Sequence, residues 1–424
     1  MTNVPLEETI NRFTTVSGAI SSYYVNELQN YNISNPNSEV ILEHCIWDDY
    51  RKNEAYQNCV VKDSDYYLSV TNNYSFDDLK KAVKHFCEQD KSISNRYEWH
   101  LKQMEKNYKH MKTNALSLDE KKGCALVLSY YTGCKLNSDR SSRNVNALIR
   151  GENSFNKTEK WSDGKNYYVI TYYLSKATSH LPFYWGNTVR CVQLTEKQVE
   201  VYKPGAIVTW VQWSSSKIGD KPAPYFEGRN TWFFIYSFSS RDISEFSKFS
   251  DEREALYSPF SHFLVFKKVK KGNKNLIYMR QIEIGLYINN IVWVDDNILN
   301  KNWENKGLME LAYAKNKKLK IIPKITTQTA MAFIKSFKTF IKSGQVKYKI
   351  MSDMTRYNEK PSDNAGARLV KYLQDNGFSG IEIMIFTSSK QKALNELQKL
   401  NVYMNNKIKI TTSTSDAIQF LISD

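Results

Sequence analysis

The chain has 424 residues, 41% apolar and 13% aromatic, with 28 Tyr against 20 Phe, a composition of folded domains with polar faces. No run approaches the ~18 apolar residues of a membrane span, and Met1 is followed by polar residues without the basic and apolar regions of a secretory signal. The net charge of +15 favours anionic partners, but without an Arg-rich tract or a nucleic-acid motif, nucleic acid is not an expected one.

The length allows two or three domains. Cys45, Cys59, Cys87, Cys124, Cys134 and Cys191 show no metal-type spacing. They read as reduced thiols, so an intracellular, cytoplasmic location is expected. Residues 1–110 alternate amphipathic stretches with Asn/Ser-rich connectors; 76–89 and 98–111 have helical spacing, and Ser75 with Asp78 gives an N-cap signal. A mainly helical region, 116–170, follows, with Ser117 and Glu120 as a capping box and Gly133 as a helix stop. Strand-like runs then appear at 187–194, 205–214, 231–238, 261–269 and 276–286, the last two separated by the hairpin connector KKGNKN. Helices followed by a compact set of strands predict an α+β domain.

Three of these segments carry chemistry. Arg190 lies inside the apolar run TVRCV, where a guanidinium wants a carboxylate or phosphate partner. Ser214-Ser215-Ser216 ends the second run. In SDEREALYSP, Glu252 and Glu254 stand two residues apart, so an extended segment would turn both onto one face. Two such acids can divide labour, one stabilising positive charge on a sugar carbon and the other orienting or deprotonating a nucleophile.

An arginine, a serine triplet and ExE in that order resemble the R–S–ExE signature of the arginine-specific mono-ADP-ribosyltransferases. YYTG (130–133) and NALIR (146–150) look like two further family motifs, and 250–265 looks like the block that holds the glutamates. The resemblance covers about 115–286. It implies that NAD+ is the substrate, that Glu254 is catalytic and that Glu252 positions the acceptor arginine of a protein. It further implies that Ser214 and Ser216 brace the site and that Arg190 holds the dinucleotide phosphates. Two departures stand out: Cys191 follows Arg190 where the family has Gly, which places a side chain beside the phosphate clamp, and the triplet is Ser-Ser-Ser rather than Ser-Thr-Ser.

From about 289 the pattern changes. Short apolar runs at 291–294, 319–323, 348–351, 381–386 and 407–410 alternate with helical stretches at 303–315, 329–342, 365–374, 393–400 and 415–421. Such alternation predicts an open parallel α/β sheet with its ligand edge at the strands' carboxyl ends. Asp295, Asp296 and Asp353 follow the first and third runs and Thr387 the fourth; hard oxygen ligands converging there suit Mg2+. This part resembles the receiver domain of response regulators. That resemblance implies a flavodoxin-like fold, Asp353 as phosphoacceptor, Asp295, Asp296 and Asp353 as metal ligands, and a phosphodonor kinase as partner. The Lys-Pro expected after the last strand is missing, with Ile410-Thr411-Thr412 in its place.

The whole is thus read as a multidomain chain: a mainly helical region at 1–114, an α+β ADP-ribosyltransferase domain at 115–286 and a receiver-like α/β domain at 289–424. Two other readings remain open, an NAD+ glycohydrolase and a non-catalytic signalling adaptor.

Overall fold

The computed structural model describes residues 73–89, 95–133, 141–142, 145–146, 162–204, 207–210, 212–259, 261–282, 289–298, 300, 302–316, 319–336 and 347–423. Residues 1–72 and the 147–150 part of the NALIR match lie outside them. Tertiary contacts divide the chain into two units, changing over between Gln281 and Ile282.

The first unit opens with helices α1 (Phe76–Gln89), α2 (Arg96–Asn107), α3 (Leu118–Thr132) and α4 (Ser162–Ser179). Local signals set their starts. The Ser75 hydroxyl accepts from the Asp78 N–H while the Asp78 carboxylate accepts from the Ser75 N–H, and Ser117 and Glu120 form the expected capping box. Leu79, Ala82, Val83 and Phe86 give α1 an apolar stripe, which packs into a core shared with α3 and α4. α3 is buried from Gly123 to Tyr131. Gly123 is required there, because a Cβ would lie 2.4 Å from the Tyr173 ring on α4.

β1 (Phe183–Val192), the short α5 (Glu196–Glu200), β2 (Ile207–Trp210), β3 (Ser214–Ile218), β4 (Thr231–Asp242), β5 (Glu254–Tyr257), β6 (Ser261–Lys271) and β7 (Lys274–Ile282) follow. The strands form one sheet in the order β1-β3-β5-β4-β7-β6-β2, with β1 also paired to β4 and β7 parallel to β4. The run predicted as one strand over 205–214 is two, and the serine triplet begins β3 instead of ending its predecessor. β2 pairs with β6 whereas β3 pairs with β1 and β5, so the two halves of the run take different places in the sheet, with Trp210 in the sheet core and Trp213 in the helical core.

The second unit comprises β8 (Asn289–Val294), α6 (Lys306–Lys315), β9 (Leu319–Lys324), α7 (Thr327–Ser336), β10 (Lys347–Asp353), α8 (Ala365–Asp375), β11 (Glu382–Phe386), α9 (Lys390–Lys399), β12 (Ile408–Thr411) and α10 (Thr414–Ile422). Its five strands are all parallel and ordered β12-β11-β10-β8-β9, so counted within the unit they run 2-1-3-4-5. β8 is buried along its whole length, as both faces of a parallel sheet require. The expected parallel α/β sheet is present.

Candidate active site

β3 and β5 pair antiparallel with Ser214 opposite Tyr257, Ser216 opposite Ala255 and Lys217 opposite Glu254. Paired residues share a face, so Glu254 lies on the side of Ser215 and Lys217. Ser214 and Ser216 turn to the other side and are buried. The expectation that these two brace the glutamate is therefore corrected: Ser215 donates its hydroxyl to the Glu254 carboxylate. Ser214 donates to the Gln212 carbonyl at 3.2 Å, and among the described residues the buried Ser216 hydroxyl has no hydrogen-bond partner. One residue of register decides which serine meets the acid.

The two glutamates come together by a different route from the one expected. Ser250–Glu252 is a single 3-10 turn, Arg253 takes a left-handed φ of +42°, and the strand begins only at Glu254. The flanking carbonyls are pinned: Ile218 N–H donates to Arg253 O at 2.7 Å and Ile243 N–H to Glu254 O at 2.9 Å. A turn thus replaces strand alternation, and Glu252 is still near enough for its charge to act on Glu254.

Burial, the largest influence, pushes the Glu254 carboxyl up to about 7. The Ser215 hydrogen bond opposes it, the Glu252 charge adds to it, and the Arg190 charge draws it back. Glu252 is also raised by burial and lowered by Lys217. Arg190, on β1, donates to the Ser215 carbonyl, and its guanidinium lies 5.6 Å over the Trp210 ring. Its pKa is lowered, first by burial. Cys191 does not crowd it: Arg190 pairs with Phe233 and Cys191 with Trp232, so the two side chains leave opposite faces of β1.

Three more side chains complete the site. Tyr131, at the end of α3, donates to the Trp213 carbonyl at 3.2 Å and also hydrogen-bonds Ser215. Asn146 Nδ2 donates to the same carbonyl at 3.0 Å, so the entry to β3 is held from two helical segments. Burial raises the Tyr131 hydroxyl to about 12, so it stays a neutral donor. Arg229 donates to the Cys191 carbonyl at 2.7 Å with its guanidinium 4.2 Å over the Phe226 ring, and its charge depresses Arg190. Tyr131 and Asn146 stood in recognised motifs without a role, whereas nothing local marks Arg229 or separates Ser215 from its neighbours.

In the second unit, Asp353 ends β10 and Asp295 directly follows the neighbouring β8. Burial raises Asp353 to about 7, with the Asp295 charge adding to it, and raises Asp295 to about 6. Asp295 already accepts from Trp303 Nε1 at 2.9 Å and the Asn297 N–H at 2.8 Å, and Asp296 from the Tyr357 N–H at 2.7 Å. Among the described residues no three acid, imidazole or thiol groups gather to hold a metal, so the expected Mg2+ set of Asp295, Asp296 and Asp353 does not fit. Lys409 is exposed and Thr411 is bonded to Asp416, so neither supplies the missing lysine.

With this geometry, comparison with known proteins identifies the class. The model of the family described as NAD:arginine ADP-ribosyltransferase matches residues 69–284, about half of the chain, and the chain belongs to that family. It is 37% identical over 112 residues to Mav of Mycobacterium avium (strain 104), named as an NAD(+)–arginine ADP-ribosyltransferase; the match covers 26% of this chain and spans 14% of that protein's length. Among solved structures it is similar to the type III effector XopAI from Xanthomonas axonopodis pv. citri, at 15% identity over 55% of this chain and 92% of that one, TM-score 0.37. It is also similar to exoenzyme S from Pseudomonas aeruginosa, solved with human 14-3-3 protein beta and carba-NAD, at 16% identity over 47% and 88%, TM-score 0.33. Among the described residues no helix is long and apolar enough to cross a membrane.

Proposed function

We propose that the first unit transfers ADP-ribose from NAD+ to a protein arginine. The observation that carries this is the Glu254 carboxylate, held by Ser215, with Glu252 beside it and Arg190 within electrostatic reach. In this reading the bond between the nicotinamide nitrogen and the ribose breaks and nicotinamide leaves with the bonding pair, neutral. Ionised Glu254 accepts from the ribose 2′-hydroxyl and stabilises the oxocarbenium-like carbon. Glu252 orients the acceptor guanidinium and takes its proton as the new carbon–nitrogen bond forms. A dinucleotide's phosphates fit the guanidiniums of Arg190 and Arg229, whose charges act on one another. Ser215 takes the bracing role first given to Ser214 and Ser216, which support β3 from its far face. We take 1–114 as the packing region, 115–286 as the transferase and 289–424 as the second domain.

Labelled NAD+ and an arginine-rich acceptor test this. Glu254→Gln is expected to lose nicotinamide release altogether, and Glu252→Gln to lose transfer while retaining release. ADP-ribose appearing free, with unlabelled acceptor, would make the chain a glycohydrolase; no turnover at all would make it an adaptor.

We further read the second unit as a receiver-like docking module that does not receive phosphate. The strand order 2-1-3-4-5 supports its flavodoxin-like class. Asp295 and Asp296 are already engaged by Trp303 and the Tyr357 N–H, and Lys409 is exposed. Acid-labile labelling of Asp353 by a small phosphodonor with Mg2+, abolished by Asp353→Asn, would instead make it an active receiver with a kinase partner.

A further inference from the structure

β3 turns two side chains to the face that carries Glu254, Ser215 and Lys217. Ser215 braces the glutamate. Lys217 is half-buried and is the direct cross-strand partner of Glu254 on one side and of Val189, on β1, on the other. Its backbone is fixed from both flanks. The next peptide N–H, that of Ile218, donates to the Arg253 carbonyl at 2.7 Å, and the Gly219 N–H donates to Asn187 O at 2.8 Å. The turn that carries Glu252 is thus bonded to the peptide that carries Lys217, which holds the ammonium and the acid in one place.

The Lys217 charge acts on Glu252, where it opposes burial. It is not among the influences on Glu254, which are burial, Ser215, Glu252 and Arg190. The other charges around the turn are directed elsewhere. Arg253 acts on Tyr184, Arg190 acts on Glu254, and Lys248 lies 5.7 Å over the Trp99 ring of α2. Of the remaining acids, Asp220 accepts from Asn187 Nδ2 at 2.8 Å, Asp242 accepts from the Ser244 hydroxyl at 2.6 Å, and Asp251 is exposed. Among the described residues neither Lys217 nor the Glu252 carboxylate takes part in an ion pair or a side-chain hydrogen bond.

We propose that Lys217 is a positioning residue of the acceptor step, an ammonium that keeps the Glu252 carboxylate charged from across the strand without occupying its oxygens. This rests on the reading of Glu252 as the group that orients the acceptor guanidinium. A half-buried acid beside a second acid tends to hold its proton, and a protonated Glu252 could neither attract a guanidinium nor take a proton from it. A lysine in direct contact would restore the charge but fill the acceptor's place with an ion pair. An ammonium set back from the carboxylate restores the charge through space and leaves both oxygens for the planar fork of the acceptor. The arrangement depends on cross-strand register, which is why no local motif announces it.

The pH dependence of two reactions of the full chain tests this: ADP-ribosyl transfer to saturating agmatine, and nicotinamide release without acceptor. In Lys217→Met the midpoint for transfer is expected to move to higher pH, and on its acid side transfer is expected to fall about two- to fivefold. Lys217→Gln, which keeps a polar side chain at this half-buried position, is expected to repeat the shift, and Lys217→Arg to cancel it. The midpoint for release, set by Glu254, is not expected to rise, because a less charged Glu252 repels the Glu254 carboxylate less. The proposal is overturned by a transfer midpoint that stays in place or falls in Lys217→Met and Lys217→Gln, or by equal loss of transfer and release at every pH. A raised KM for NAD+ with both midpoints in place would make Lys217 a phosphate ligand and overturn it as well. Wild-type transfer alongside any of these results leaves the transferase reading standing; no transfer by wild type overturns both.

Discussion

Ser215→Ala separates the register seen here from the one the sequence suggested. The Ser215 hydroxyl donates to Glu254, whose carboxyl stands at about 7 with that bond in place. A hydrogen bond to a charged group contributes about 1.5–3 kcal/mol, and one pKa unit is about 1.4 kcal/mol, so its loss raises Glu254 by about one to two units. Near pH 7 the ionised fraction then falls from about one half to between about 1 and 10%. Nicotinamide release at pH 7 should drop by about five- to fifty-fold, and water entering the vacated space favours the smaller figure. Because only ionised Glu254 is active, the variant recovers as pH rises, reaching between about half and nine tenths of full activity near pH 9, whereas wild type is half active near 7. Ser214→Ala and Ser216→Ala should leave the midpoint in place. The assay is kcat/KM for nicotinamide release across pH for all four proteins. An unmoved midpoint in Ser215→Ala, or a larger shift in Ser214→Ala, would refute the reasoning.

Tyr131→Phe removes the donor to the Trp213 carbonyl while Asn146 keeps its own bond there, so urea denaturation should show a loss of about 1 kcal/mol. In the second unit Arg356 is fully buried and bonds Ser352, Thr327, Glu359 and the Asp353 carbonyl. Arg356→Ala leaves Glu359 with Arg368 as its remaining ion pair and should cost about 3–5 kcal/mol; a cost under about 1 would deny the network its role. Asp353 is raised in the fold, so it stabilises the unit while protonated and that stability is lost as pH climbs from about 4 through about 7. Asp353→Asn should therefore flatten the pH dependence of Tm over that window and raise Tm at pH 8, which calorimetry measures.

Signals contained in a few neighbouring residues were legible directly: the capping pairs Ser75–Asp78 and Ser117–Glu120, the alternation of apolar runs and helices after 289, and the arginine, serines and glutamates in family order. Each is written in chemistry that neighbours impose on one another, hydrogen bonds to a helix end or an apolar stripe of fixed period. What only the tertiary structure decided are questions of face and partner. Which serine meets Glu254 depends on a pairing made across 40 residues. The break between Trp210 and Ser214 depends on strand partners far away in sequence, β6 for β2 and β1 with β5 for β3. The acids after β8 and β10 read as a metal site in sequence, yet the fold gives two of them to Trp303 and Tyr357. Strand alternation fixes only that neighbouring side chains part company; the direction each one takes is set by distant segments packing against the strand.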